Sequence, residues 1–400
     1  MKRSLHSIAI LMWLGFVASG NCAEPVQVFI LVGQSNMQGH SHVSTFEAVG
    51  LDPDAQELHA SMHDDSGEPV VCERVWISSI GNDKSEKEFK GKLAVGYGAA
   101  GRGPKIGPEF LFGITMQQAI EQPILIIKTA WGGKSLHTDF RPPSSGKYEF
   151  TDEQIERLKK RGKDVEEEKR LRSEASGHYY RLMLEHVRLV LSDVKRVCPD
   201  YDSEAGYELA GFVWFQGWND MVDRGVYPQR DQSGGYANYS ELLAQFIRDV
   251  RRDLDSPDLP FVIGVMGVGG PTDEYGAKRQ RIKPVHQNFR DAMAAPAELP
   301  EFQESVAAVL TEKAWDAELA GLKDRGAMVN AKAKELPKTL TREQRQNKIE
   351  EIQASIYTPR ELDLLSGSSN AEYHYLGSAK IMGRIGQAFA EAILELREKQ

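Results

Sequence analysis

The stretch Gly33-Gln34-Ser35-Asn36-Met37-Gln38-Gly39 sets a serine directly behind a short apolar run, residues 26–32. Where a buried strand gives way to a helix, a serine hydroxyl is presented at the sheet edge and its N–H lies at a helix N-terminus. One residue can then supply both a nucleophile and a donor to an oxyanion. A lone Gly-x-Ser is equally the pattern of a cap in a glycine-rich turn. The case for Ser35 therefore rests on its partners.

Three other segments supply them. Thr129-Ala130-Trp131-Gly132-Gly133-Lys134-Ser135 ends another apolar run, and its paired glycines let backbone N–H groups approach a ligand closely. Trp214-Phe215-Gln216-Gly217-Trp218-Asn219-Asp220 ends a third run, where the Gln216 amide can donate to a developing oxyanion. Ser369-Asn370-Ala371-Glu372-Tyr373-His374 places an imidazole in a loop just ahead of a helix, where it can serve as general base. Trp131, Trp218 and Tyr236 lie in or near these loops and offer flat faces to a sugar ring, or plain packing. Asp220 can hold a sugar hydroxyl or brace its own loop, and Arg141 can meet an anionic sugar.

These residues need a scaffold that brings strand ends together. Runs at 26–32, 75–79, 123–130, 209–215 and 261–266 are rich in Val and Ile and apolar on both faces, as strands of a parallel sheet covered by helices are. Helical periodicity over 110–118, 179–194, 239–254 and 378–398 alternates with them. The fold class is α/β, a three-layer α/β/α sandwich with a mostly parallel sheet. Residues 144–176 and 312–362 are dense in charge and helix-prone, and are expected to be helical insertions in a single domain over 24–400.

The ends and the bulk composition set limits. Lys2 and Arg3 precede an apolar run, 8–17, too short to span a bilayer, and small residues follow it up to Ala23. Residues 1–23 are expected to be a cleaved export signal, which makes the protein secreted or periplasmic and free of membrane after cleavage. The chain has 400 residues, 41% of them hydrophobic and 27% charged, with a net charge of −9. An acidic balance argues against a nucleic-acid partner. Beyond Cys22 only Cys72 and Cys198 remain, able to pair or to stay separate thiols. Cys and His show no metal-ligand spacing, with His137, His178, His186 and His286 scattered, so no metal site is expected.

The chain resembles the SGNH-hydrolase superfamily, and within it the sialate O-acetylesterase-like (SASA-domain) carbohydrate esterases. The resemblance rests on the Gly33–Met37 stretch, Gly107-Pro108-Glu109, the pair Gly132-Gly133, the block Trp214 to Asp220, and His374. It implies an SGNH or flavodoxin-like sheet and removal of O-acetyl groups from carbohydrate without a cofactor. Ser35 would attack the ester and His374 would move the proton. The Ser35 and Gly133 N–H groups and the Gln216 side chain would hold the oxyanion. Trp131, Trp218 and Asp220 would contact the substrate. In one respect the chain departs from that pattern: Ala371 stands where many members have an aspartate, three residues before the histidine. Glu372 is the nearest acid and is expected to orient His374. A non-catalytic carbohydrate-binding protein of the same fold, or an esterase for small esters, are the competing readings.

Overall fold

The computed structural model describes residues 24–399. The expected export signal lies outside them. Nine strands form: β1 (Val26–Gly33), β2 (Ser41–His42), β3 (Val75–Ile80), β4 (Phe89–Lys92), β5 (Lys105–Ile106), β6 (Ile124–Ala130), β7 (Tyr207–Phe215), β8 (Phe261–Val265) and β9 (Val306–Leu310). Seven of them make the central sheet in the order β4-β3-β6-β1-β7-β8-β9, and β2 pairs with β5 in a separate ribbon. All pairings in the central sheet are parallel except β3 with β4. Every residue of β1 and of β6 is buried, which is why both segments are apolar on both faces.

Helices Pro108–Ala119 and Ala379–Glu398 pack together on one face, with Phe112 against Phe29 and Phe389 against Phe215. Helices His178–Ser192, Ala237–Asp253 and Lys283–Ala294 cover the other, where Phe246 meets Tyr180, Phe212 and Trp214. The charged stretch before β7 folds as Asp152–Lys160 and Val165–Ala175, each opened by a side-chain cap from Thr151 or Asp164. The stretch after β9 forms Ala317–Lys334, Arg342–Ala354 and Pro359–Leu365 around a small core of Leu322, Val329 and Tyr357. Cys72 and Cys198 are separate buried thiols, pushed up by burial to about 12 and about 11.

Beneath the carboxyl edge of the sheet lies a buried ion pair. Lys128 Nζ on β6 sits 2.7 Å from Glu109 Oε2 and donates also to the carbonyls of Gln38 and Tyr97, each at 2.9 Å. Glu109 Oε1 accepts the Gly107 N–H at 2.8 Å. The lysine and glutamate side chains are 1% and 0% exposed. Burial pulls the Lys128 ammonium below its usual range, and Glu109 opposes that pull. Glu109→Ala should lower the unfolding free energy by about 3–5 kcal/mol, because it strands a buried ammonium. Urea unfolding followed by circular dichroism will measure it.

Candidate active site

In the parallel register Gly33 lies between Ala130 on β6 and Phe215 on β7. The three loops that follow therefore leave the sheet level with one another, at the point where the strand order turns from one side of β1 to the other. Gly33 allows this closeness, since a Cβ there would stand 2.1 Å from the Phe215 carbonyl oxygen. Ser35 opens a single helical turn, Ser35–Gln38, and is half-buried. The first N–H groups of such a turn have no acceptor within it.

The two glutamines around Ser35 fix the turn sideways. Gln34 Oε1 accepts from Gln216 Nε2 at 3.3 Å and from the N–H groups of Gly217 and Asn219 at 3.4 Å. Gln38 Nε2 donates to the carbonyls of Gly81 (2.5 Å) and Asn82 (3.2 Å), beyond β3. The glycine pair comes close as well: a Cβ on Gly132 would lie 3.9 Å from the Ser35 Cβ.

Several expectations change at this point. Gln216 is 2% exposed, and its Nε2 already faces Gln34 Oε1, the Lys134 carbonyl (3.0 Å) and Asp220 Oδ2 (2.5 Å). Three acceptors take up the donors of the Gln216 amide, so it braces the site and presents nothing to an oxyanion. Asp220 is fully buried and accepts the N–H groups of Leu136 (2.8 Å) and His137 (3.1 Å). It holds the loop after the glycine pair, which is the bracing role of the two open to it. Trp131 is 5% exposed and packs against Phe140 and Tyr179, so it is core and not a stacking platform. Tyr236 is buried and donates to the Met221 carbonyl. Arg141 spends its donors on the carbonyls of His137, Ser145 and Gly146. Trp218, by contrast, stays half-buried and lies 5.8 Å from the ring of Tyr373, which is 45% exposed and 4.5 Å from the His374 ring. Asn219 faces the glycine pair, with Nδ2 donating to the Gly133 carbonyl at 2.9 Å.

His374 lies in the segment Glu372–Gly377, which touches the Ser35 turn. Its Nδ1 lies 3.1 Å from Asn370 Oδ1, and that oxygen also accepts the Ala371 N–H at 2.7 Å. Asn370 Oδ1 is thereby identified as an acceptor, so Nδ1 carries the imidazole proton and Nε2 keeps its lone pair. Glu372 does not do this work. Its carboxylate pairs with Arg279 at 2.5 Å, half exposed on the rim. The ring of His40 stacks on His374 with centroids 3.8 Å apart and planes 2° from parallel. Burial pushes His374 down to about 4. Burial, then the neighbouring His374, Lys105 and Lys128, push His40 down to about 3. Both rings are neutral at pH 7, which is what allows them to stack. Neither His40 nor Asn370 stands out in the sequence as a partner of His374, and only their positions beside the two motifs hint at it.

The bend that aims His374 is strained. Tyr375 and Leu376 have φ of 50° and 61°, rare for residues with side chains, and Gly377 follows at 58°. A Cβ at Gly377 would come within 2.6 Å of Asn370. Tyr375 pins the bend: it is fully buried, its hydroxyl accepts the Gly267 N–H at 2.8 Å, and it bonds Thr311 Oγ1 at 2.7 Å.

The fold is that of an α/β protein with a mostly parallel sheet, and the Ser35, glycine-pair and Gln216 loops leave it at one carboxyl edge. Residues 25–298 match the family described as SASA, "carbohydrate esterase, sialic acid-specific acetylesterase", and the chain belongs to that family. No curated protein sequence matches it. Among solved structures it is similar to a carbohydrate acetylesterase from Xanthomonas citri at 15% identity, covering 72% of this chain and 51% of that one, with a TM-score of 0.39. It is also similar to a protein from Arabidopsis thaliana (17% identity, 72% and 86% covered, TM-score 0.38) and to NanS (13%, 72% and 79%, TM-score 0.36).

Tyr375→Phe should lower stability by about 1–3 kcal/mol, since it leaves the buried Gly267 N–H without its acceptor. Thermal unfolding gives the stability loss, and faster amide exchange in residues 369–377 would show that the bend has loosened.

Proposed function

We propose that the protein removes O-acetyl groups from carbohydrate. The observation that carries this reading is the convergence at one sheet edge of the Ser35 turn, the glycine pair, Asn219 and the His374 segment, in a chain of the SASA family.

Ser35 Oγ attacks the acetyl carbonyl carbon while His374 Nε2 takes the hydroxyl proton. The tetrahedral oxyanion is held by the Ser35 and Gly133 N–H groups and by the second N–H of the Asn219 amide, which takes the place expected of Gln216. Collapse expels the sugar oxygen, and the imidazolium returns the proton to it. Water repeats the sequence on the acyl-enzyme and releases acetate. Asn370 keeps the His374 tautomer correct, and His40 holds the plane of the ring. Trp218 and Tyr373 flank His374 as an aromatic wall for the sugar. The pattern of residues 1–23 extends the reading to a secreted or periplasmic enzyme acting on acetylated polysaccharide or sialic acid-like sugars.

Ser35→Ala should abolish hydrolysis of a chromogenic acetyl ester and acetate release from acetylated polysaccharide, with unfolding unchanged. Equal turnover by variant and wild type would overturn the nucleophile. With His374 held down to about 4, the acid limb of kcat/KM should fall near pH 4, with the base neutral above it and protonated below. Asn370→Asp places a carboxylate beside Nδ1, favours the imidazolium, and should move that limb upward by about one pH unit or more. A pH–rate profile of both forms checks the shift.

A further inference from the structure

A second cluster of titratable side chains stands apart from the site, on the crossover between β1 and β3. Glu47 lies in the short helix Phe46–Val49, His59 in the helix Gln56–Ser61, and His63 just beyond that helix. The two histidines are four positions apart, which puts them on one side of the chain with ring centroids 4.6 Å apart. One ligand atom from each of Glu47, His59 and His63 lies within 4.8 Å of the other two.

The hydrogen-bond geometry of these groups suits a cation. His63 Nδ1 sits 2.9 Å from the His59 carbonyl oxygen, which can only accept, so the proton is on Nδ1 and Nε2 is free to ligate. Metal-binding imidazoles have this arrangement, the far nitrogen bound and the near N–H tied to a carbonyl. His59 Nε2 is buried with no hydrogen-bond partner, a state a folded protein rarely leaves unanswered. Glu47 is exposed and supplies a negative charge.

We infer that Glu47, His59 and His63 bind one divalent transition-metal ion, of which zinc is the representative. Two imidazoles and one carboxylate suit that class, whereas calcium and magnesium want oxygen ligands throughout. The ion fastens the crossover together between residues 47 and 63. Thr45, one residue before the helix of Glu47, takes the Ala379 N–H on its hydroxyl, so the fastened segment abuts the start of the helix that follows the His374 segment.

The test is calorimetric titration of chelator-treated full-length protein with zinc chloride, paired with thermal unfolding. Wild type should bind one equivalent and melt at a higher temperature with zinc than without. His63→Ala should weaken binding by on the order of a hundredfold, and the exposed Glu47→Gln by about tenfold. Both should lose most of the zinc-dependent rise in Tm. Cobalt titration gives a second readout: the visible absorption of the wild-type complex should change in Glu47→Gln, even if the histidine variants fold poorly. Failure of wild type to bind zinc would overturn the inference. So would equal affinity of wild type and Glu47→Gln with identical cobalt spectra.

Discussion

A lysine and a glutamate without access to water sit under the turn that carries Ser35. Removing two charges from solvent is costly, and their mutual attraction offsets the cost only when the remaining donors and acceptors are also satisfied. Lys128 meets this condition with Glu109 and the carbonyls of Gln38 and Tyr97, and Glu109 meets it with the Gly107 N–H. Four segments are thereby tied to one point: the end of the Ser35 turn, the loop at Tyr97, strand β6 and the start of the helix Pro108–Ala119. A charge pair of this kind tolerates no half measures. Either all the tethers form together or a bare charge is left in the core, so the turn beneath the site has a single geometry.

The polar residues of the motifs share the work unevenly. Gln34, Gln38, Gln216 and Asp220 all spend their side chains on neighbouring loops. The Ser35 turn is braced toward β7 by Gln34 and toward β3 by Gln38, and Asp220 carries the loop of the glycine pair. Ser35, Trp218, Asn219 and His374 are left half-buried, and Tyr373 is exposed beside them. Such bracing suits the proposed acetylesterase reaction, because an oxyanion is stabilised most by donors that need not move to meet it.

The central strands and the long helices were readable in the sequence because burial on both faces and helical periodicity leave direct marks on residue type. The edge strands β4 and β9 were not. Phe89–Lys92 is half polar with one flank in solvent, and Val306–Leu310 is short and partly exposed. The serine, the glycine pair and the histidine could be found because each follows or precedes a regular element. Inward and outward side chains at a strand end look alike in sequence, so the pattern leaves Asp220 and Trp131 open between ligand contact and support, and points Gln216 at an oxyanion although its amide is buried. Glu372 is the nearest acid in the sequence, yet Asn370 is the side chain that meets His374 Nδ1, for a conformational reason. The bend through Tyr375 and Leu376 turns the imidazole back toward Asn370, and spacing alone cannot reveal two left-handed residues with side chains. The stacked ring of His40 joins residues on opposite ends of the chain, beyond any local pattern.

That separation bears on how the molecule is made. The Ser41 hydroxyl bonds the Ser378 carbonyl and the His42 N–H bonds Ser369, so the crevice is closed by pairings across 337 and 327 residues. Contacts so distant along the chain form late, after the entropy of a very large loop has been overcome. All nine strands precede His374 in the chain, and the imidazole reaches the Ser35 turn from the segment after them. The Ser35 turn and the His374 segment therefore meet only when residues 369–378 fold back onto residues 40–42.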